Sequence, residues 1–132
     1  MLMRVERVIA ELRKLLPKAA VGPAVYALSS WLIDVRMAHV RVFVEYAPGL
    51  GLFGISTDGG ANGSQEIYLD TAEVAERVKS LSATRQLCSP GKISDAAYAW
   101  SKQEVGRRSP EDPSWAEYAA IVGAFERQSV AS

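Results

Sequence analysis

His39 is the one side chain whose unperturbed pKa lies near neutrality, and it stands at the edge of an alternating stretch beside Arg41. General-base chemistry there would need a pocket and a partner such as Glu45 or Asp34, and spacing alone sets no such geometry. A surface or strand-end histidine is the competing reading. Cys88 precedes Ser89-Pro90-Gly91 rather than opening a helix, so nothing visible lowers its thiol pKa, and a half-buried structural thiol is expected. Gly-x-Ser-x-Gly is absent, which leaves no nucleophile elbow. Glu73 and Glu76 lie close on one helix, a common spacing for solvated helix carboxylates.

The letters Gly49-Leu50-Gly51-Leu52-Phe53-Gly54 match the dinucleotide fingerprint, with Asp70 where a ribose-binding acid would sit. That fingerprint works because its glycines open a helix onto the pyrophosphate, and Ile55 to Gly60 cannot continue one. A Pro-Gly hairpin whose glycines allow twist or close backbone approach explains the same residues. Asp58 to Ser64 forms a glycine-rich loop that could hold an anion through backbone amides, or simply connect two strands at the surface; it has no Lys or Arg to reward a phosphate. Asn62-Gly63-Ser64 is a glycosylation sequon only in a secreted chain.

Charge placement says more than these motifs. Fifteen basic and 15 acidic side chains cancel to a net charge of zero, which argues against a dedicated nucleic-acid binder. The cancellation is uneven: residues 1 to 41 carry +4, residues 42 to 76 carry −6 with no Lys or Arg, and residues 77 to 132 carry +2. The acidic block holds Glu45, Asp58, Glu66, Asp70, Glu73 and Glu76, with Tyr46, Phe53 and Tyr68 among them. Acids interleaved with aromatics suit a sheet edge that docks a basic partner, since opposite charge speeds encounter and tyrosine supplies rigid contact area. The expected contact residues are Glu45, Tyr46, Asp58, Glu66, Tyr68 and Asp70. The alternative is a solvated acidic face that keeps edge strands from aggregating. Acidic and basic patches on one small protein could also pair in a homodimer.

These residues need elements to carry them. Leu2, Val5, Ile9, Leu12 and Leu16 alternate at three and four, which predicts a helix over 2–16 that Pro17 stops. Period two then takes over: Trp31, Ile33, Val35 and Met37 share one strand face, and Val40, Val42, Val44 and Tyr46 another, with His39, Arg41 and Glu45 opposite. Residues 25–30 fit strand or helix. Leu50 to Thr57 and Glu66 to Leu69 read as further strands. Asp70 and Glu73 resemble a capping box opening a helix over 71–81. Ser94 is placed to cap a helix over 95–106, and Ser114 with Glu117 to open another, with Trp100 and Trp115 anchoring this pair.

The result is an α+β fold: an N-terminal helix, a three- to four-stranded antiparallel sheet, then helices packed on one face. A length of 132 residues with 48% apolar content fits a single domain, an α+β core at 1–83 and a C-terminal helical pair at 84–132. One cysteine excludes an intramolecular disulfide and a cysteine-rich zinc site, and points to a reducing cytoplasm. The charged N-terminus lacks a signal-peptide core, and no apolar run is long enough to span a membrane. The Ala, Val and Arg content suggests a bacterial source.

The hairpin at Tyr46-Ala-Pro-Gly-Leu-Gly followed by Glu66-Ile-Tyr-Leu-Asp-Thr-Ala-Glu entering a helix resembles small bacterial immunity or inhibitor proteins over residues 31 to 81. The two C-terminal helices fall outside the resemblance, and no functional residue is carried over from it. It implies a non-enzymatic protein, without cofactor, that binds and neutralises a toxin or other effector. The second class is a small enzyme or ligand carrier that closes the Gly49–Ser64 loop over a pocket near His39.

Overall fold

The computed structural model describes residues 2–58, 64–84 and 87–131. Helix α1, Leu2–Leu15, buries Val5, Val8 and Leu12 completely, as their spacing dictates, and ends ahead of Pro17. Strands β1 (Ala20–Val21), β2 (Val25–Ala27), β3 (Ser30–Arg36), β4 (Arg41–Ala47), β5 (Leu52–Ser56) and β6 (Glu66–Tyr68) follow. Helix α2, Thr71–Thr84, precedes β7, Lys92–Ile93, and the chain closes with α3, Asp95–Arg107, and α4, Trp115–Ala131. The expected α+β order of helix, strands and helices is what the structure has.

The sheet is larger than the periodicity indicated. It has seven strands in the order β1-β3-β4-β5-β6-β7, with β2 also paired to β3. All pairs are antiparallel except β6 with β7. Strands β1 and β7 are two residues long and cannot display a period. The ambiguous residues 25–30 hold β2 and a tight turn with positive φ at Leu28 and Ser29. The β3–β4 hairpin closes across Ala38 and His39, where Met37 N–H donates to Val40 O at 3.0 Å.

Helices cover both faces rather than one. Ile33, Val35, Val42, Val44, Phe53 and Ile55 share a face with Tyr46 and Tyr68 and pack against α1 and α2. Each such buried apolar side chain contributes about 1.5–3 kcal/mol. On the other face, Leu52, Ile67 and Ile93 pack beneath α3 and α4, against Ala97, Tyr118 and Ile121. That pair covers only the β5–β7 end. The same face of β3 and β4 stays open, with Leu32 37% exposed.

The β4–β5 turn is clamped from both sides. From α1, Arg4 donates to Gly51 O at 2.9 Å and to Leu69 O, with its guanidinium over Tyr46 and Phe53. From the opposite layer, Trp100 Nε1 and Tyr118 Oη both donate to Leu50 O, at 2.9 and 2.7 Å. Trp100 therefore anchors the C-terminal pair as expected. Trp115 does not, since its Nε1 donates to Val105 O and ties α4 to α3.

Candidate functional site: an acidic groove on the open sheet face

The acidic block does not gather at one sheet edge. Glu66 is wholly buried, and Tyr46 and Tyr68 are 3% and 4% exposed, so these three cannot contact a partner from where they stand. Strand alternation is the reason: Tyr46 shares its parity with Val42 and Val44, and Glu66 shares its own with Tyr68, all facing α1 and α2. Asp70 is exposed at the start of α2, where its carbonyl accepts from Val74 N–H. Asp58 is exposed at the end of β5 and bonded to Ser56. Only Glu45 stands on the open sheet face among apolar neighbours.

Inside the core, Glu66 is fully partnered. Arg77 Nε and Nη2 each donate to it at 2.9 Å, Ser89 N–H at 2.7 Å and Tyr68 Oη at 2.5 Å. Burial opposes ionisation of this carboxyl, but Arg77, Tyr68 and the Ser89 amide together hold it below the usual range. The carboxylate thereby ties β6, α2 and the segment entering β7 into one unit. Cys88 sits beside it, its thiol pushed up to about 11 by burial and by the Glu66 charge, which matches a structural thiol.

The open face has a regular construction. Val25, Leu32, Glu45, Gly54, Ile67 and Ile93 are register partners in succession across six strands. Its β6–β7 end lies under α3 and α4, its β2–β3 end is exposed, and Glu45 is in the middle. Beside Glu45, β4, β5 and α4 enclose a groove of about 640 Å³. Leu50, Leu52, Ile67 and Ile121 give it apolar walls, and its charged lining residues are two acids, Glu45 and Glu117. A second hollow of about 300 Å³ shares Ala47, Leu50 and Glu117 with it and extends toward the β2–β3 turn at Leu28. Ser64 donates to Glu45 Oε1 at 3.2 Å across the space left by Gly54.

No family model, curated protein or solved structure matches this chain.

The groove takes in part of the Gly49–Ser64 segment, but His39 is exposed in the β3–β4 turn and is not among its lining residues. Residues 59–63, the centre of the glycine-rich loop with its sequon asparagine, lie outside the described residues. Two of the three fingerprint glycines have a structural reason: Gly51 adopts φ +72° in the turn, and Gly54 admits Ser64. Among the described residues, no group of three or more His, Cys, Asp or Glu is disposed to hold a metal ion, and no helix is long and apolar enough to cross a membrane.

Sequence reasoning missed Glu117 as a groove residue; Gly54 and Ser64 belong to the Gly49–Ser64 segment that the second class of reading placed over a pocket. Glu117 was visible as the acid of a helix-start motif, but its approach to Glu45 depends on where α4 lands. The other end of the open face carries a separate charge group. Asp34 accepts from Arg41 at 2.9 and 2.5 Å and from Arg36 at 3.2 Å, and Arg41 lies over Phe43. Arg41 in particular holds the Asp34 carboxyl below its ordinary range.

Proposed function

We propose that this protein is a non-enzymatic binding module that docks a basic segment of a protein partner in the groove between the open sheet face and α4. The observation that carries the reading is the lining: an apolar floor with Glu45 and Glu117 as its only charged residues among those described. Such a surface rewards a Lys or Arg flanked by apolar side chains, because the cation meets two carboxylates while its neighbours bury area. The site is therefore the groove rather than the acidic sheet edge, with Glu45 retained from the expected set and Glu117 added. An inhibitor-like or immunity-like role against a toxin or effector in the bacterial cytoplasm belongs to the same proposal.

The test is a titration of isotope-labelled protein with a short peptide of alternating Lys and Leu, followed by amide chemical shifts. Expected are shifts clustered at Glu45, Leu52, Gly54, Ile67 and Ile121, weakened by salt and at least about tenfold weaker in affinity for Glu45→Lys with Glu117→Lys. Shifts scattered over the surface, or equal affinity in the double variant, would sink the reading. The volume also falls within the range of small-molecule sites, about 300–1,000 Å³. A ligand retained in the native mass spectrum would favour that second reading.

A further inference from the structure

Between Lys18 and Asp34 the chain carries no charged residue, and residues 19–33 form β1, β2 and the first part of β3. Among the described residues, strand β2 pairs only with β3, so its outer side presents N–H and C=O groups that no described strand pairs. Edge strands are ordinarily guarded by lysine, proline within the strand or a bulge. Here Val25 is 58% exposed and Tyr26 56%, with Tyr26 leaning on Trp31 at 5.1 Å between ring centroids.

Leu28, at the tip, is unsuited to its place on two independent counts. It is 99% exposed. Its φ is +52° and that of Ser29 +67°, the paired left-handed conformation of a two-residue hairpin turn in which Asn-Gly is cheapest. Neither the turn nor the core uses the leucine side chain.

We infer that β2 pairs antiparallel with β2 of a second copy about a two-fold axis, covering Val25, Tyr26 and Leu28. An antiparallel edge is self-complementary, offering the same donors and acceptors when reversed. The patch is neutral, so two identical faces meet without like-charge repulsion, and a charged partner finds no ion pair in it. Leu32, the register partner of Val25, extends the apolar area onto the open face. Three-residue strands and a handful of side chains form a small interface, so association belongs in the micromolar range of protein concentration. Glu45 is not among the residues lining the hollow beside Leu28.

Light scattering after size exclusion, from micromolar to near-millimolar protein, tests this directly. The mass is expected to rise from 14.3 kDa toward twice that value. Val25→Lys and Leu28→Asn each return it to the monomer with the circular dichroism spectrum intact. Leu28→Asn also keeps or raises the Tm, because asparagine relaxes the turn. Glu45→Lys leaves the mass profile unchanged, which separates this surface from the groove. A monomer at every concentration overturns the inference, as does a dimer that neither variant weakens. Capture of the monomer by phosphatidylcholine vesicles, lost in Leu28→Asn, would overturn it too by assigning the patch to a lipid surface.

Discussion

A Cβ on Gly54 would fall 1.8 Å from Ser64 Oγ and 2.4 Å from its Cβ, so Ser64 occupies the place where a side chain on β5 would otherwise stand. Rotating the serine hydroxyl away relieves only the first contact. Gly54→Ala is therefore expected to cost about 1–3 kcal/mol as an overpacking change. That outweighs the roughly 0.4–1 kcal/mol that alanine gains by restricting the unfolded chain. Urea denaturation of Gly54→Ala and of Gly54→Ala with Ser64→Gly checks it, and the double variant should recover most of the loss. Equal stability of Gly54→Ala and wild type would show that Ser64 moves freely. At this scale the sequence announced a glycine with a reason and left the reason open. Close backbone approach was one of the explanations available, but the approaching residue is ten positions away, just ahead of β6.

Among the elements, what the sequence displayed depended on length. The long α1, β3 and β4 show their periods, and the parity of β4 already placed Tyr46 with the core valines; alternation, applied strictly, withdraws it from the surface. The two-residue β1 and β7 have no period to show. Ser94 caps α3 as its type and position indicate, accepting from Ala97 N–H. The face on which α3 and α4 land was not legible in the sequence, because it depends on contacts between residues far apart in the chain: an apolar cluster and, within it, the carbonyl of Leu50. Trp100 and Tyr118 reach Leu50 O from different helices, so their contributions are coupled. Tyr118→Phe is expected to cost about 0.5–1.5 kcal/mol, the net worth of a hydrogen bond. The loss on Trp100→Phe should differ according to whether Tyr118 is present. Thermal unfolding of the two single variants and the double variant measures this; strict additivity would mean that the two helices dock independently.

For the molecule as a whole, a net charge of zero conceals carboxylates in unlike states. Arg41 lowers Asp34, Arg108 lowers Glu104, Ser114 lowers Asp112, and Glu66 stays low against its burial through Arg77 and Tyr68. Glu73 opposes them, raised by burial and by Asp70. A carboxyl whose folded pKa is depressed stabilises the fold above its unfolded value, near 4.5 for glutamate, and that stability is lost as pH falls through the folded value. Glu111 is lowered too, by the Ser109 hydroxyl, so with five groups against one the unfolding free energy should be flat near neutrality and fall steadily below about pH 4.5. Glu66→Gln should be destabilised at pH 7, because it leaves Arg77 without its counter-charge, and the gap to wild type should narrow on acidification. Denaturation at pH 7 and pH 3.5 decides it; a gap that stays constant would remove Glu66 from the pH response.

The sequence by itself determined the α+β class, the amphipathic face of α1, the facing of each long strand and the uneven distribution of charge, because periodicity and local charge are properties of neighbours along the chain. Only the tertiary structure decided that Glu66 is an interior ion-pair partner, that Glu45 and Glu117 share a groove, and that β2 is left as an uncharged edge. Each of these joins residues far apart in sequence, through strand order and helix docking, and no local pattern records those distances.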